Sequence, residues 1–269
     1  MKAKDIINDL YSLATGREYS PDGDSLKAGD AQREVNKVAV TMFPTVKVIK
    51  EVIEWGAELL IVHEPIYYDV KEEISAHDRV ASDKRDLIEQ SGLTVYRFHD
   101  HAHYTVPDII ADGEFRALGL SGTLETTDIF DLVRFHLNSP ITALELARLI
   151  EDKLNIAHVR ICGATDIAST VISGVFGSGG RVPFEELKRD GSQIVLAGET
   201  CEWAYCEYAR DAAELGLNKS LLLLGHAGSE RDGMVYTAQL LKNMHPDLDV
   251  KYFECNEVYT YTDTKMKGK

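Results

Sequence analysis

The sequence predicts an α/β protein built as two lobes with largely parallel or mixed sheets. Three observations carry that expectation: short apolar runs of strand length, amphipathic stretches at helical spacing, and regular alternation between the two along most of the chain. The lobes are expected over residues 1–125 and 126–269, meeting near residues 125–140, where a polar stretch interrupts the alternation. The two could also form one continuous domain, with the last helix and strand packing back on the first lobe.

Residues 6–14 open the chain with Ile6, Ile7, Leu10, Leu13 and Ala14 at helical spacing, and a polar Gly/Asp loop follows over residues 21–30. Residues 35–42 alternate as a strand does, residues 44–55 place Val46, Ile49, Val52 and Ile53 on one helical face, and residues 59–62 are a continuous apolar strand. A right-handed crossover makes those two strands a parallel pair. A helix over residues 78–91 ends on Gly92 as C-cap, and the strand 93–98 runs into a histidine cluster. A helix over 107–118 precedes the polar stretch 119–128.

The second lobe begins with a helix whose N-cap Thr142 has Glu145 three residues on, a capping box. Strands at 158–162 and 169–176, a helix at 183–189, a strand at 194–197 and a helix over 204–215 follow. A strand at 220–224, a helix at 231–244 and a last strand at 250–255 precede a polar tail ending Lys-Met-Lys-Gly-Lys. The chain shows no internal repeat.

At 269 residues, 44% hydrophobic and 27% charged, the chain can bury a substantial core. A net charge of −15, from 44 acidic and 29 basic residues, opposes a broad phosphate-backbone footprint, so no nucleic-acid partner is expected. A small phosphorylated substrate remains compatible, because one local pocket can oppose the global field. The four cysteines show no C-x-x-C spacing and read as reduced thiols; no signal peptide or membrane-length apolar run is seen. A cytoplasmic protein without a membrane partner is the expectation.

The chemistry concentrates at three strand ends. Residues 59–64 read Leu-Leu-Ile-Val-His-Glu, and Pro65 stops the strand there. Adjacent strand residues face opposite ways, so His63 and Glu64 can serve one site only where the strand is ending. Taken singly, such a pair reads first as an ordinary loop start. In the second cluster, a persisting strand would put His99, His101 and His103 on one face and Asp100 on the other. Three imidazoles there resemble a catalytic zinc set, the alternative being a solvated loop. In the third, His226 and Glu230 stand four apart at a strand-to-helix junction, with Gly225 and Gly228 allowing a tight turn. Together, histidine and carboxylate suit zinc, iron, manganese or nickel better than calcium.

Other candidates rank below these. The loop Gly177-Ser178-Gly179-Gly180 could offer amides to a phosphate, though it lacks a P-loop ending and reads equally as a tight turn. Cys201 could be a nucleophile or a structural thiol, with the structural reading preferred. Tyr67 and Tyr68 could line a pocket or pack.

At the three clusters the chain resembles the Nif-three-like dinuclear metal-centre family, whose members are often called GTP cyclohydrolase I type 2 homologues. The resemblance rests on Gly29-Asp30, on Gly56-Ala57-Glu58-Leu59-Leu60-Ile61-Val62-His63 with Pro65, and on Val95-Tyr96-Arg97-Phe98-His99. It continues through Gly177-Ser178-Gly179, Gly198-Glu199, and Gly225-His226 with Glu230. It implies metal ions in the cleft between two α/β lobes and a homo-oligomeric, hexameric ring. Position by position, the implied metal ligands are His63, Glu64, His103, His226 and Glu230.

Two positions depart from the family pattern: Glu64 stands where a second His is usual, and His103 where a bridging Asp is usual. One reading is a compensated exchange that keeps two metals. The other is a single or altered site, with His99, His101 or Asp100 filling in. The family's His-His after Gly-Glu is replaced by Glu202-Trp203. The implied function is a metal-dependent hydrolase-type protein with one or two divalent ions per chain (Zn, Fe, Mn or Ni). Its small-molecule substrate would be a nucleotide or phosphoester, and Glu64 or His99 the catalytic base. The alternatives are a metal-binding regulatory or interaction protein without turnover, and a metal store or chaperone.

Overall fold

The computed structural model describes residues 1–14, 23–69 and 71–262. The start of the expected polar loop, Pro21 and Asp22, and the Lys-Met-Lys-Gly-Lys tail lie outside the described residues. The fold is mixed α/β with two sheets, and the chain divides into two compact units: Met1–Ile110 with Gly233–Cys255, and Ala111–Asp232 with Asn256–Lys269.

In the first unit the elements run α1 (Ala3–Leu13), β1 (Ser25–Ala28), β2 (Lys37–Thr41), α2 (Val46–Trp55), β3 (Leu59–Val62), α3 (Arg79–Ser91), β4 (Thr94–Arg97) and α4 (Asp100–His103). Helix α5 (Ile109–Leu118) carries the chain across the first boundary. Thr45 accepts from the Val48 amide to start α2, and Gly56 ends it in the left-handed region at φ 80°. Gly92 ends α3 in the same way at φ 67°, the C-cap the sequence pointed to. β2, β3 and β4 are parallel neighbours, with Val38 opposite Leu59 and Leu59 opposite Thr94. All four residues of β3 and of β4 are buried, as expected of central strands covered on both faces.

In the second unit the order is β5 (Gly122–Thr126), β6 (Val133–Thr142), α6 (Ala143–Lys153), β7 (Arg160–Gly163), β8 (Ala168–Val175), α7 (Val182–Lys188) and β9 (Ile194–Ala197). A π-helical turn (Glu202–Cys206), α8 (Glu207–Glu214) and β10 (Ser220–Leu223) follow, and α9 (His226–Met244) starts here and carries the chain back into the first unit after Asp232. β11 (Asp249–Tyr252) then pairs parallel with β2, so the chain's last strand belongs to the first sheet. The sheets run β1-β4-β3-β2-β11 and β5-β6-β8-β9-β10-β7. In the second, β8, β9 and β10 are parallel and β5, β6 and β7 join antiparallel. The Thr142–Glu145 capping box forms at α6.

Each unit has its own core. Ile6, Leu10, Val40, Leu59, Ile61, Phe98, Met234 and Leu241 pack together in the first, and Phe115, Phe135, Leu146, Ile150, Ile172 and Leu222 in the second. Three strands are absent from the sequence expectation, β1, β5 and β6, and none of them carries a continuous buried run. β1 and β5 are sheet edges with no fully buried residue, and the second half of β6 is exposed. Edge strands need no continuous apolar run, so composition hides them.

Candidate metal centre

β3 and β4 end side by side, and four of the nine histidines follow directly there. The amides of His63 and Glu64 both donate to the Met42 carbonyl, at 3.2 Å each, which closes β3 against the end of β2. The Arg97 Nε donates to the His63 carbonyl at 3.0 Å, and His63 itself is fully buried. Its ring Nδ1 lies 3.0 Å from the Phe98 carbonyl oxygen. A carbonyl only accepts, so Nδ1 carries a proton and Nε2 is the nitrogen left to face the cluster.

The second cluster departs from the sequence expectation. Residues Asp100–His103 form a short helix, not a continued strand, so His99, His101 and His103 do not share a face. Helical spacing instead brings His99 and His103, four apart, to the same side. Their imidazoles stand beside that of His63: ring centroids are 4.4 Å apart for His63 and His99, stacked, and 5.2 and 5.3 Å for the two edge-on pairs with His103. One donor atom from each of the three lies within 4.8 Å of the others. His101 turns elsewhere, with its Nδ1 on Asp24 and its ring 3.7 Å from that of Tyr11.

His99 and His103 are oriented as His63 is. His99 Nδ1 is 2.8 Å from Asp100 Oδ1, and His103 Nδ1 is 3.0 Å from Asp108 Oδ2. All three rings therefore hold Nδ1 on an oxygen, the usual second partner of a metal-binding histidine. Glu64 joins them, its Oε1 3.7 Å from His99 Nε2. Burial and the adjacent His63 imidazole hold His99 below the ordinary histidine value, against the opposing hydrogen bond of its ring to Asp100. Both effects keep the ring neutral, which is the form that ligates. Three imidazoles and a carboxylate fit a borderline divalent metal.

Glu64 also borders a recess of about 320 Å³ lined by Phe43, Pro44, Val46, Tyr68 and Lys84. Burial there pushes the Lys84 ammonium down to about 8, with Glu72 opposing, and its Nζ donates to the Ile66 carbonyl. The two tyrosines divide between both readings: Tyr67 is buried in the core, and Tyr68 is exposed and lines the recess.

In the second unit the ends of β8, β9 and β10 converge. The Glu199 amide donates to the Gly177 carbonyl at 2.9 Å, and the Gly225 amide to the Gly198 carbonyl at 2.9 Å. His226 begins α9, and its Nε2 lies 3.2 Å from Glu230 Oε2, the four-residue pairing that the spacing indicated. Its Nδ1 lies 3.0 Å from Glu199 Oε1, a partner that sequence reasoning did not assign. Gly177 lies against the Glu230 carboxylate: a Cβ there would come within 2.5 Å of it. Cys201 packs with Tyr205, Cys206 and Leu221, as a structural thiol does.

Strand ends that carry oriented histidines and carboxylates place candidate metal-donor groups on a mixed α/β fold. The chain belongs to the Duf34/NIF3 (NGG1p interacting factor 3) family, whose model matches residues 1–258. It is 26% identical over 265 residues to a protein of Clostridium perfringens named GTP cyclohydrolase 1 type 2 homolog, covering 96% of this chain and 97% of that one. Its fold is that of a Bacillus cereus protein related to NIF3 (TM-score 0.74, 13% identity, 97% of this chain and 98% of that one). A Staphylococcus aureus protein is similar to the same degree (TM-score 0.74, 18% identity, 97% and 99%).

Proposed function

We propose that the chain is a metal-dependent hydrolase-type protein acting on a small nucleotide or phosphoester, with a divalent ion (Zn, Fe, Mn or Ni) held by His63, His99 and His103. The observation that carries this reading is the shared orientation of the three rings: each has Nδ1 on an oxygen, and their donor atoms lie within 4.8 Å of one another. Such an ion supplies a bound water of near-neutral acidity. Glu64, beside His99, is the carboxylate within reach to hold the proton given up there. The recess at Glu64 has the size of a small-molecule subsite, and the apolar surfaces of Phe43, Pro44 and Val46 would exclude water from a bound ring.

His226 and Glu230 are the second donor pair of the proposal, and the resemblance to the family supports their role as ligands. Four cysteines with no C-x-x-C spacing, read as reduced thiols, accord with a cytoplasmic protein. A homo-oligomeric ring, also carried by the resemblance, is checked by light scattering in solution.

The deciding experiment is elemental analysis of untagged protein, followed by turnover assays of the metal-loaded form with GTP and with a phosphodiester. At least one metal per chain is expected, lost in the His63→Ala and His103→Ala variants and reduced in His226→Ala. Far less than one metal per chain in the wild type overturns the metal assignment. Stoichiometric metal without turnover of either substrate overturns the hydrolase assignment.

A further inference from the structure

We infer that Asp24 is the residue that positions the donor histidines, setting the short helix α4 so that His99 and His103 face His63. The inference rests on the reading of those three rings as metal ligands, and it assigns a role to a carboxylate outside the donor set.

The sheet register brings Asp24 to this place. β1 and β4 are antiparallel, with Ser25 opposite Arg97 and Leu26 opposite Tyr96. The residue before Ser25 therefore meets the chain just past Arg97, where strand β4 becomes helix α4. The Asp24 carboxylate is fully buried there and is used at both oxygens. Oδ1 accepts from the amides of His99 and Asp100, the latter at 2.9 Å; Oδ2 accepts from the amide of His101 at 2.9 Å and pairs with its Nδ1. Three successive amides and one imidazole thus converge on a single carboxylate.

Those amides begin a helix of four residues, too short to hold its shape by its own hydrogen bonds. Bonds from amides to an ionised carboxylate are among the stronger ones, and stronger still out of water. Asp24 thereby fixes the direction in which α4 leaves the strand, which sets where its rings point. His101 belongs to this support: its imidazole is spent on Asp24 and packs at a tilt against Tyr11, which explains why the middle histidine of the cluster stands outside the donor trio.

The neighbouring glycine adds an independent observation. A Cβ on Gly23 would come within 2.1 Å of the Asp100 carboxylate, the group that orients His99. A side chain at position 23 would therefore push the Asp100 carboxylate from its place beside His99.

The experiment compares Zn and Co(II) binding in the wild type, Asp24→Asn and Gly23→Ala, with far-ultraviolet circular dichroism reporting the fold and the visible Co(II) spectrum reporting the ligand field. Asp24→Asn replaces an acceptor by an NH2 that faces donors. It is expected to weaken metal binding by about 10- to 100-fold, as loss of a supporting partner does, and to change the Co(II) spectrum in a folded protein. Should Asp24→Asn fail to fold, Gly23→Ala carries the test, with weakened binding and an altered spectrum again expected.

Wild-type affinity and spectrum in a folded Asp24→Asn, or in Gly23→Ala where that variant carries the test, overturns the inference while leaving the metal reading intact. A wild type that binds no metal overturns both.

Discussion

Asp108 Oδ2 lies 3.0 Å from His103 Nδ1, and both side chains are nearly inaccessible to solvent. The carboxylate holds Nδ1 and so fixes the orientation of the His103 ring. Asp108→Ala is expected to lower metal affinity by about 10- to 100-fold. Asp108→Asn should cost less, since its carbonyl can still accept from Nδ1. Equal affinity in wild type and Asp108→Ala, read by competition with a chelator, would show that His103 is not a ligand.

The site's first wall was legible in the sequence because the physics there is local. An apolar run stopped by Pro65 fixes the end of β3, and with it His63 and Glu64. The pairing of His226 with Glu230 was legible for the same reason, as helical spacing alone brings them together. The second cluster was misread because its conformation is set at long range. Nothing within residues 99–103 announces that Asp24, some 75 residues earlier, gathers their amides into a helix. Glu199 and Asp108 were missed as orienting partners because their roles exist only once strand ends and turns are assembled.

The pH dependence of the apoprotein follows from His99. Burial first, and then the neighbouring His63, lower its folded pKa below the ordinary value of 6.5. Below about pH 6.5 the unfolded chain therefore binds the proton more readily than the folded one. The contribution of His99 is complete above that pH and is lost as the pH falls from there toward the folded value. The urea midpoint of metal-free protein should drop between about pH 7 and pH 5, and less steeply in His99→Gln. Identical slopes in the two proteins would contradict this.

Glu186 sets a second, more acidic window in the other unit. It accepts from Ser173 Oγ at 2.7 Å, Arg189 Nη2 at 2.8 Å and Arg134 Nη2 at 3.2 Å. Burial works against the ionised carboxyl, but these hydrogen bonds outweigh it and hold the group at about 2, against 4.5 ordinarily. A lowered carboxyl pKa stabilises the fold above 4.5, and that contribution fades as the pH falls from 4.5 toward 2. Glu186→Gln should cost about 1–3 kcal/mol at neutral pH. The difference from wild type should shrink steadily below pH 4.5, as measured by denaturant unfolding; a constant difference across that range would argue against an ionised Glu186.

Gly177 offers the sharpest test of the second donor pair. The Gly-rich loop was expected either to cradle a phosphate or to turn tightly, yet what lies against Gly177 is the Glu230 carboxylate. Two effects penalise a side chain there: φ is +57°, and a Cβ would fall 2.5 Å from a Glu230 oxygen. Gly191 separates them, for it has φ +81° with nothing within 4 Å of its Cβ position. Gly191→Ala therefore measures backbone strain alone, about 1 kcal/mol. Gly177→Ala should cost that and more, because Glu230 must leave its place beside His226. It should also lower metal content in the same direction as His226→Ala, while Gly191→Ala leaves metal content unchanged. If Gly177→Ala matched Gly191→Ala in both stability and metal content, the position of Glu230 would have no bearing on metal binding.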